Sequence, residues 1–185
     1  MSSLTDRQLM LSVRDGDIGK LGILFERHHR VLFNFFLRLT GNRSASEDLV
    51  QEVFLRMLKY RASYQGKSHF TLWMYRIARN ARIDYLNKEK RTTQENENQP
   101  EVASDEPTVM EKMVSDQDHV LVHRALEKLS LEDREVLLLS RFQDLKYKEI
   151  AELLGCAEGT VKARVHYAIK NLRDTFNQLS GESTR

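Results

Sequence analysis

Cysteine, proline and glycine are all scarce, at one, two and eight residues among 185. The lone Cys156 cannot close an internal disulfide and has no second thiolate with which to hold zinc, which points to a reducing compartment. No stretch reaches the ~18–20 uncharged apolar residues of a membrane span, and the opening MSSLTDRQ lacks the basic-then-apolar pattern of a secretion signal. The expected location is the cytoplasm, with no membrane insertion. Catalytic equipment is missing as well. Gly155 and Gly159 have neither the flanking strand nor the Lys-Ser/Thr of a phosphate-binding loop. Cys156 and His166 come without a carboxylate or oxyanion device, and His119 and His123, although spaced i, i+4, lack a third ligand. We therefore expect no enzyme, no metal, no cofactor and no small-molecule substrate.

What the chain does have is charge on an apolar framework. Hydrophobic residues make up 41% and charged residues 30%, enough apolar material for a packed core. The formal net charge of +2 conceals an uneven distribution: residues 92–118 hold eight acids against Lys112, a net of −7, which leaves +9 on the remainder. That segment is polar, contains both prolines (Pro100, Pro107), and lacks the apolar surface that would offset the entropy of ordering it. It reads as an acidic linker joining a domain over residues 1–91 to one over residues 119–185. Basic modules of this kind suggest nucleic acid.

Apolar residues recur three and four apart almost throughout, without strand alternation. The fold class is therefore all-α, an N-terminal helical bundle and a C-terminal helix-turn-helix domain. Leu21, Leu24, Phe25, Leu32, Phe35, Phe36 and Leu39 form one stripe, closed at Gly41-Asn42. Ser44 or Ser46 is the expected N-cap of the next helix, which runs to about Tyr60. A third helix spans about Phe70 to Lys90. Its Trp73, Met74, Ile77, Ala78, Ala81 and Tyr85 fall on one side, and Arg76, Arg79, Asn80, Asn87 and Lys90 on the other. Periodicity resumes near Met110, and Ser130 with Asp133 resembles a capping box ahead of Val136 to Leu139.

The segment KYKEIAELLGCAEGTVKARVHYAIKNLR has the pattern that a DNA-reading helix pair requires. Ile150, Ala151 and Leu154 give the first helix, Lys146 to Leu154, an apolar face, and Gly155 can take the positive φ that ends it tightly. Val161, Val165, Ala168, Ile169 and Leu172 hold the second helix, Glu158 to about Phe176. Lys162, Arg164, His166, Tyr167, Lys170 and Arg173 are left for phosphates and base edges. Glu158, Gly159 and Thr160 sit at the helix N-terminus, where N–H groups and a hydroxyl suit a phosphate. An ordinary amphipathic helix would share the basic face, but not its coincidence with the small residue and the glycine turn.

These residues resemble the sigma factors of bacterial RNA polymerase, specifically the small extracytoplasmic-function class of the sigma-70 family. The resembling stretches are LFERHHRVLFNFFLRLTG, SEDLVQEVFLRM, HFTLWMYRIARNARIDYLNKEKR and ALEKLSLEDREVLLLSRFQDLKYKEIAELLGCAEGTVKARVHYAIKNLR, covering most of residues 20–91 and 122–174. The resemblance implies that Asp48, Leu49, Gln51, Glu52 and Leu55 dock on core RNA polymerase, whose largest-subunit coiled coil and flap are the expected contacts. Promoter DNA and an anti-sigma factor are the other implied partners. Ser68, in the loop Gln65 to Thr71, with Arg76, Arg79 and Asn80, would read the −10 element as an unstacked strand, with Arg82 on phosphate and Trp73 in the core. On the second domain, Lys162, Ala163, His166 and Tyr167 would face −35 bases, and Thr160, Arg164, Lys170 and Arg173 phosphates. The linker would thread toward the polymerase active-site channel. His166 and Tyr167 depart from the arginine-rich version of the family, as do Ser130, where proline is frequent, and Asn87, where arginine is. An autonomous regulator would use the same helix pair as a dimer on palindromic half-sites, but would not need SEDLVQEVF or a basic third helix. A helical adaptor without a DNA role would not need the +9 charge.

Overall fold

The computed structural model describes residues 4–95, 117–143 and 145–183. The acidic linker from residue 96 to 116 and the periodicity near Met110 lie outside the described residues. Those residues form eight α-helices and one short 3-10 turn, with no strand among them. The chain divides into two compact units, residues 1–34 with 42–108, and residues 35–41 with 109–185.

The first unit opens with α1 (Asp6–Arg14), a short helix not among those expected from the sequence. Its start is written in Thr5 and Gln8: Gln8 N–H donates to Thr5 Oγ1 at 3.3 Å, and Thr5 N–H donates to Gln8 Oε1 at 2.9 Å, a reciprocal capping box. Leu9, Met10 and Val13 are its buried side. The next helix, α2 (Lys20–Thr40), ends where Gly41 takes φ 67. That turn leaves Asn42 extended, so Asn42 caps α3 (Arg43–Lys59) by accepting from Ala45 N–H at 2.9 Å. The cap is therefore Asn42 and not Ser44 or Ser46; Ser46 is buried one turn inside, donating to Asn42 O at 2.6 Å. After a 3-10 turn at Arg61–Ser63 comes α4 (Phe70–Glu95), longer than the expected Phe70 to Lys90. α3 packs along α4, and Val53, Met57, Met74 and Ala78 are fully buried. Burial of side chains the size of Met57 and Met74 stabilises by about 1.5–3 kcal/mol each.

In the second unit, α5 (Gln117–Glu127) and α6 (Leu131–Phe142) pack on the long α8 (Glu158–Ser183), with α7 (Tyr147–Leu154) completing the set. Ser130 is the N-cap of α6, accepting from Asp133 N–H at 3.1 Å. Leu126, Leu129, Leu137 and Ala168 form a core, joined by Ile169 and Leu172. Arg134 is buried there and donates to the carbonyls of Glu127 and Leu129, acceptors that the end of α5 would otherwise leave unmet.

α7 begins with Lys146 N–H donating to Glu149 Oε2 at 2.9 Å and ends at Gly155, whose φ of 66 is the left-handed cap expected from the sequence. A Cβ at Gly155 would meet nothing within 4 Å, so its cost is purely conformational. Gly155→Ala should lower unfolding stability by about 1–2 kcal/mol, read by urea denaturation. An unchanged midpoint would show that the turn tolerates another conformation.

Candidate nucleic-acid interface

The outward surface of α8 is set by what its inner side buries. Val161, Val165 and Ala168 are buried, as are Ile150, Ala151 and Leu153 on α7. Leu153 takes the fully buried place expected of Leu154, which is half-buried. Thr160, Lys162, Ala163, His166, Tyr167, Lys170 and Arg173 are exposed and Arg164 is half-buried. Tyr167, 60% exposed, lies 5.7 Å from the His166 ring, edge-on.

Two of these cations are already engaged. Lys162 Nζ lies 3.0 Å from Glu158 one turn earlier, and Arg164 Nη2 lies 3.0 Å from Glu132 of α6. A phosphate must displace or share these carboxylates. Exposed pairs of this kind are worth about 0.2–1 kcal/mol, so Glu132→Gln should raise affinity for a −35 duplex by up to about fivefold. Titration of labelled duplex with holoenzyme tests this; weaker binding would mean that Glu132 instead orients Arg164 for DNA.

On α3, Asp48 and Gln51 are exposed, Glu52 is half-buried, and Leu55 stands 63% exposed. Leu49 does not share that face. It is only 2% exposed, because it follows the inward stripe of Leu49, Val50, Val53 and Met57, and it supports the surface from beneath. Glu52 accepts from Arg56 Nε at 2.6 Å.

On α4, Arg76 and Asn80 are exposed and Arg79 is half-buried, as is Ser68 in the loop before it. Arg82, expected on phosphate, is 5% exposed. It stands one turn beyond the buried Ala78, so its stem runs along the packed side of the helix. Trp73 is core, as the sequence implies, with its ring 5.1 Å from Tyr64 and 6.4 Å from Phe70.

Between α3 and α4 lies a cleft of about 340 Å³ lined by Arg56, Tyr60, Ile77, Asn80, Ile83 and Asp84. Only Asn80 among these was expected at the site. Arg56 Nη1 donates to Asp84 Oδ2 at 2.7 Å, so one guanidinium ties Glu52 to Asp84 across the two helices. Partial burial disfavours the Arg56 charge, but its bonds to Glu52 and Asp84 outweigh that and raise its pKa. The Tyr60 ring is exposed at the cleft, with Lys59 Nζ 5.3 Å from its centroid. The i, i+4 spacings of Glu52 with Arg56 and of Asn80 with Asp84 were the signals available for this cleft. His119 of the histidine pair lies outside the residues with described side chains, and the His123 ring sits 3.3 Å from Glu127.

A helix-turn-helix with an outward basic face, together with a helix pair bearing a cleft and exposed cations, defines a two-part helical DNA-reading protein. Residues 24–92 match the family description Sigma-70 region 2, and residues 119–172 match Sigma-70, region 4. The ECF RNA polymerase sigma factor SigL of Mycobacterium tuberculosis is 33% identical over 160 residues, 84% of this chain and 88% of that protein. The RNA polymerase sigma-H factor of Pseudomonas aeruginosa is 26% identical over 187 residues, covering 96% and 97%. The fold is shared with the sigma factor RpoE solved in complex with the anti-sigma factor NepR from Bartonella quintana, with a TM-score of 0.70 at 24% identity over 84% of this chain and 96% of that one.

The chain belongs to the extracytoplasmic-function sigma factors of the sigma-70 family. Its function is that of a sigma factor, directing RNA polymerase to promoters, and the family is not a catalytic class. No helix among the described residues is long and apolar enough to cross a membrane.

Proposed function

We propose that this sigma factor divides promoter reading between its two units, α4 with its cleft taking the opened −10 strand and α8 the −35 duplex, while the exposed side of α3 docks on core polymerase. The observation that carries this reading is the cleft around Asn80, which opens beside the exposed Arg56–Asp84 pair on the cation-bearing side of α4. Its chemistry suits a single unstacked base. Tyr60, Ile77 and Ile83 offer apolar and aromatic surface, and the Asn80 amide and Asp84 carboxylate offer hydrogen-bonding edges. Unstacking a base costs a few kcal/mol, and stacking on an aromatic ring returns about 1–3 kcal/mol. Arg76 and Arg79 then serve the phosphates, and Ser68 the strand as it enters.

Neither unit needs high affinity alone. Polymerase supplies the effective concentration that turns two weak contacts into one specific reading at a fixed spacing. The solved relatives RpoE and CnrH are bound to the anti-sigma factor NepR and to the cytosolic domain of CnrY, which supports an anti-sigma partner here too.

The test is to reconstitute the purified chain with sigma-free core polymerase and a randomised promoter library. Initiation that depends on this chain, with Asn80→Ala losing discrimination at −10 and keeping it at −35, is the expected result. Transcripts independent of the chain, together with a footprint on a palindrome without polymerase, would instead identify an autonomous regulator.

A further inference from the structure

α1 lies ahead of the family-matched segment, which begins at residue 24. It nevertheless packs against the turn at Arg61–Ser63 and against α4, and its side chains converge on the segment that leads into α4. Arg14 Nη1 donates to the Tyr64 carbonyl at 3.4 Å. Gly66, at φ 69, sits directly under α1: a Cβ there would lie 3.3 Å from Leu11 Cδ2 and 3.4 Å from Arg7 Nε. The Arg7 guanidinium therefore rests against the backbone of residue 66, next to the exposed Lys67 and to Ser68.

Arg7 is exposed and makes no ion pair among the described residues. Its sequence neighbour Asp6 is occupied elsewhere, accepting from Arg27 Nη1 at 2.6 Å and lying 2.7 Å from His28 Nε2. Those two contacts to α2, the Thr5–Gln8 capping box and the three buried apolar residues fix α1 in place. A cation uncommitted to any carboxylate among the described residues is thus held at a defined point on the loop Gln65 to Thr71.

We infer that Arg7 binds a backbone phosphate of the non-template strand as it passes over this loop, a nucleic-acid contact contributed by α1. The inference rests on the reading of that loop as part of the −10 interface. The ligand is a phosphodiester and not a base, because the guanidinium offers a planar set of donors suited to phosphate oxygens and rests against the strand-bearing loop's backbone at Gly66. The contact adds affinity without sequence preference.

The experiment uses the full chain assembled with core polymerase and a premelted promoter recovered from the library selection, with a dye on the non-template strand. Affinity is measured across a salt series. Arg7→Gln should flatten the slope of log affinity against log salt by about 0.7, the value for one phosphate on a single strand, and weaken binding about fivefold near 0.1 M salt, equally for all −10 sequences. Arg7→Lys should keep the slope, and Asn80→Ala should lose base discrimination with the slope intact. A role of Arg7 confined to packing α1 would lower the melting temperature and leave the slope alone. An unchanged slope for Arg7→Gln, with Asn80→Ala still impaired, overturns the inference and spares the −10 reading; if neither variant alters binding to this strand, the reading of the loop falls with it.

Discussion

Val161→Asp is expected to abolish −35 recognition while leaving attachment to core polymerase in place. Val161 has no solvent exposure and stands on the inner side of α8 with Val165 and Ala168. An aspartate there must either remain charged in the interior or take up a proton. A buried charge without a partner costs about 3–5 kcal/mol, a large share of the ~5–15 kcal/mol that holds a typical domain together. Lys162, His166 and Tyr167 then lose the surface that presents them. The measurement is a footprint of holoenzyme on a promoter with and without its −35 element: the variant should protect both templates alike, with competition for core polymerase unchanged. A retained −35 footprint would mean that α8 is held by something other than this packing.

Reversing charge on the exposed side of α3 should separate the functions the other way. Asp48 and Gln51 are exposed and Leu55 stands clear of the surface, an arrangement of rim charge around an apolar anchor found at protein interfaces. If the partner surface is basic, Asp48→Arg combined with Gln51→Arg places two cations against it. Affinity for core polymerase should fall about 10- to 100-fold, equivalent to about 1.4–2.8 kcal/mol, chiefly through slower association and more steeply at low salt. Binding of the full chain to an isolated −35 duplex should not change. Equal loss of both would refute the division of labour between the units.

The all-α class and the helix-turn-helix were legible because apolar periodicity and a glycine at the turn are local signals, and the buried Val161, Val165 and Ala168 follow that period. Short elements and polar helix ends were harder to see. α1 is nine residues long and begins with a polar capping box. The end of α4 extends past Lys90 through polar residues, and that of α8 past Phe176 even through Gly181. Asn42 took the cap from Ser44 and Ser46 because the backbone after Gly41 was already extended, which is a property of conformation and not of residue type. Arg82 and Leu49 were misplaced for one reason: a position near the edge of a helical stripe turns inward or outward according to the neighbouring helix. The cleft was hard to read because it joins residues from two helices, its i, i+4 spacings are common on any helix, and only Asn80 carried a family signal.

The carboxylates of Glu158 and Glu132 that hold Lys162 and Arg164 also bear on how the protein spends its time in a genome. A chromosome presents about a million or more competing sites, and a protein with bare cations is sequestered on them. On the proposed reading of α8, Lys162 and Arg164 bring their own counter-charge, so arbitrary duplex should gain less from them than from bare cations. Neutralising Glu132 and Glu158 together should therefore strengthen binding of the free chain to promoterless duplex, leaving less of it available to polymerase.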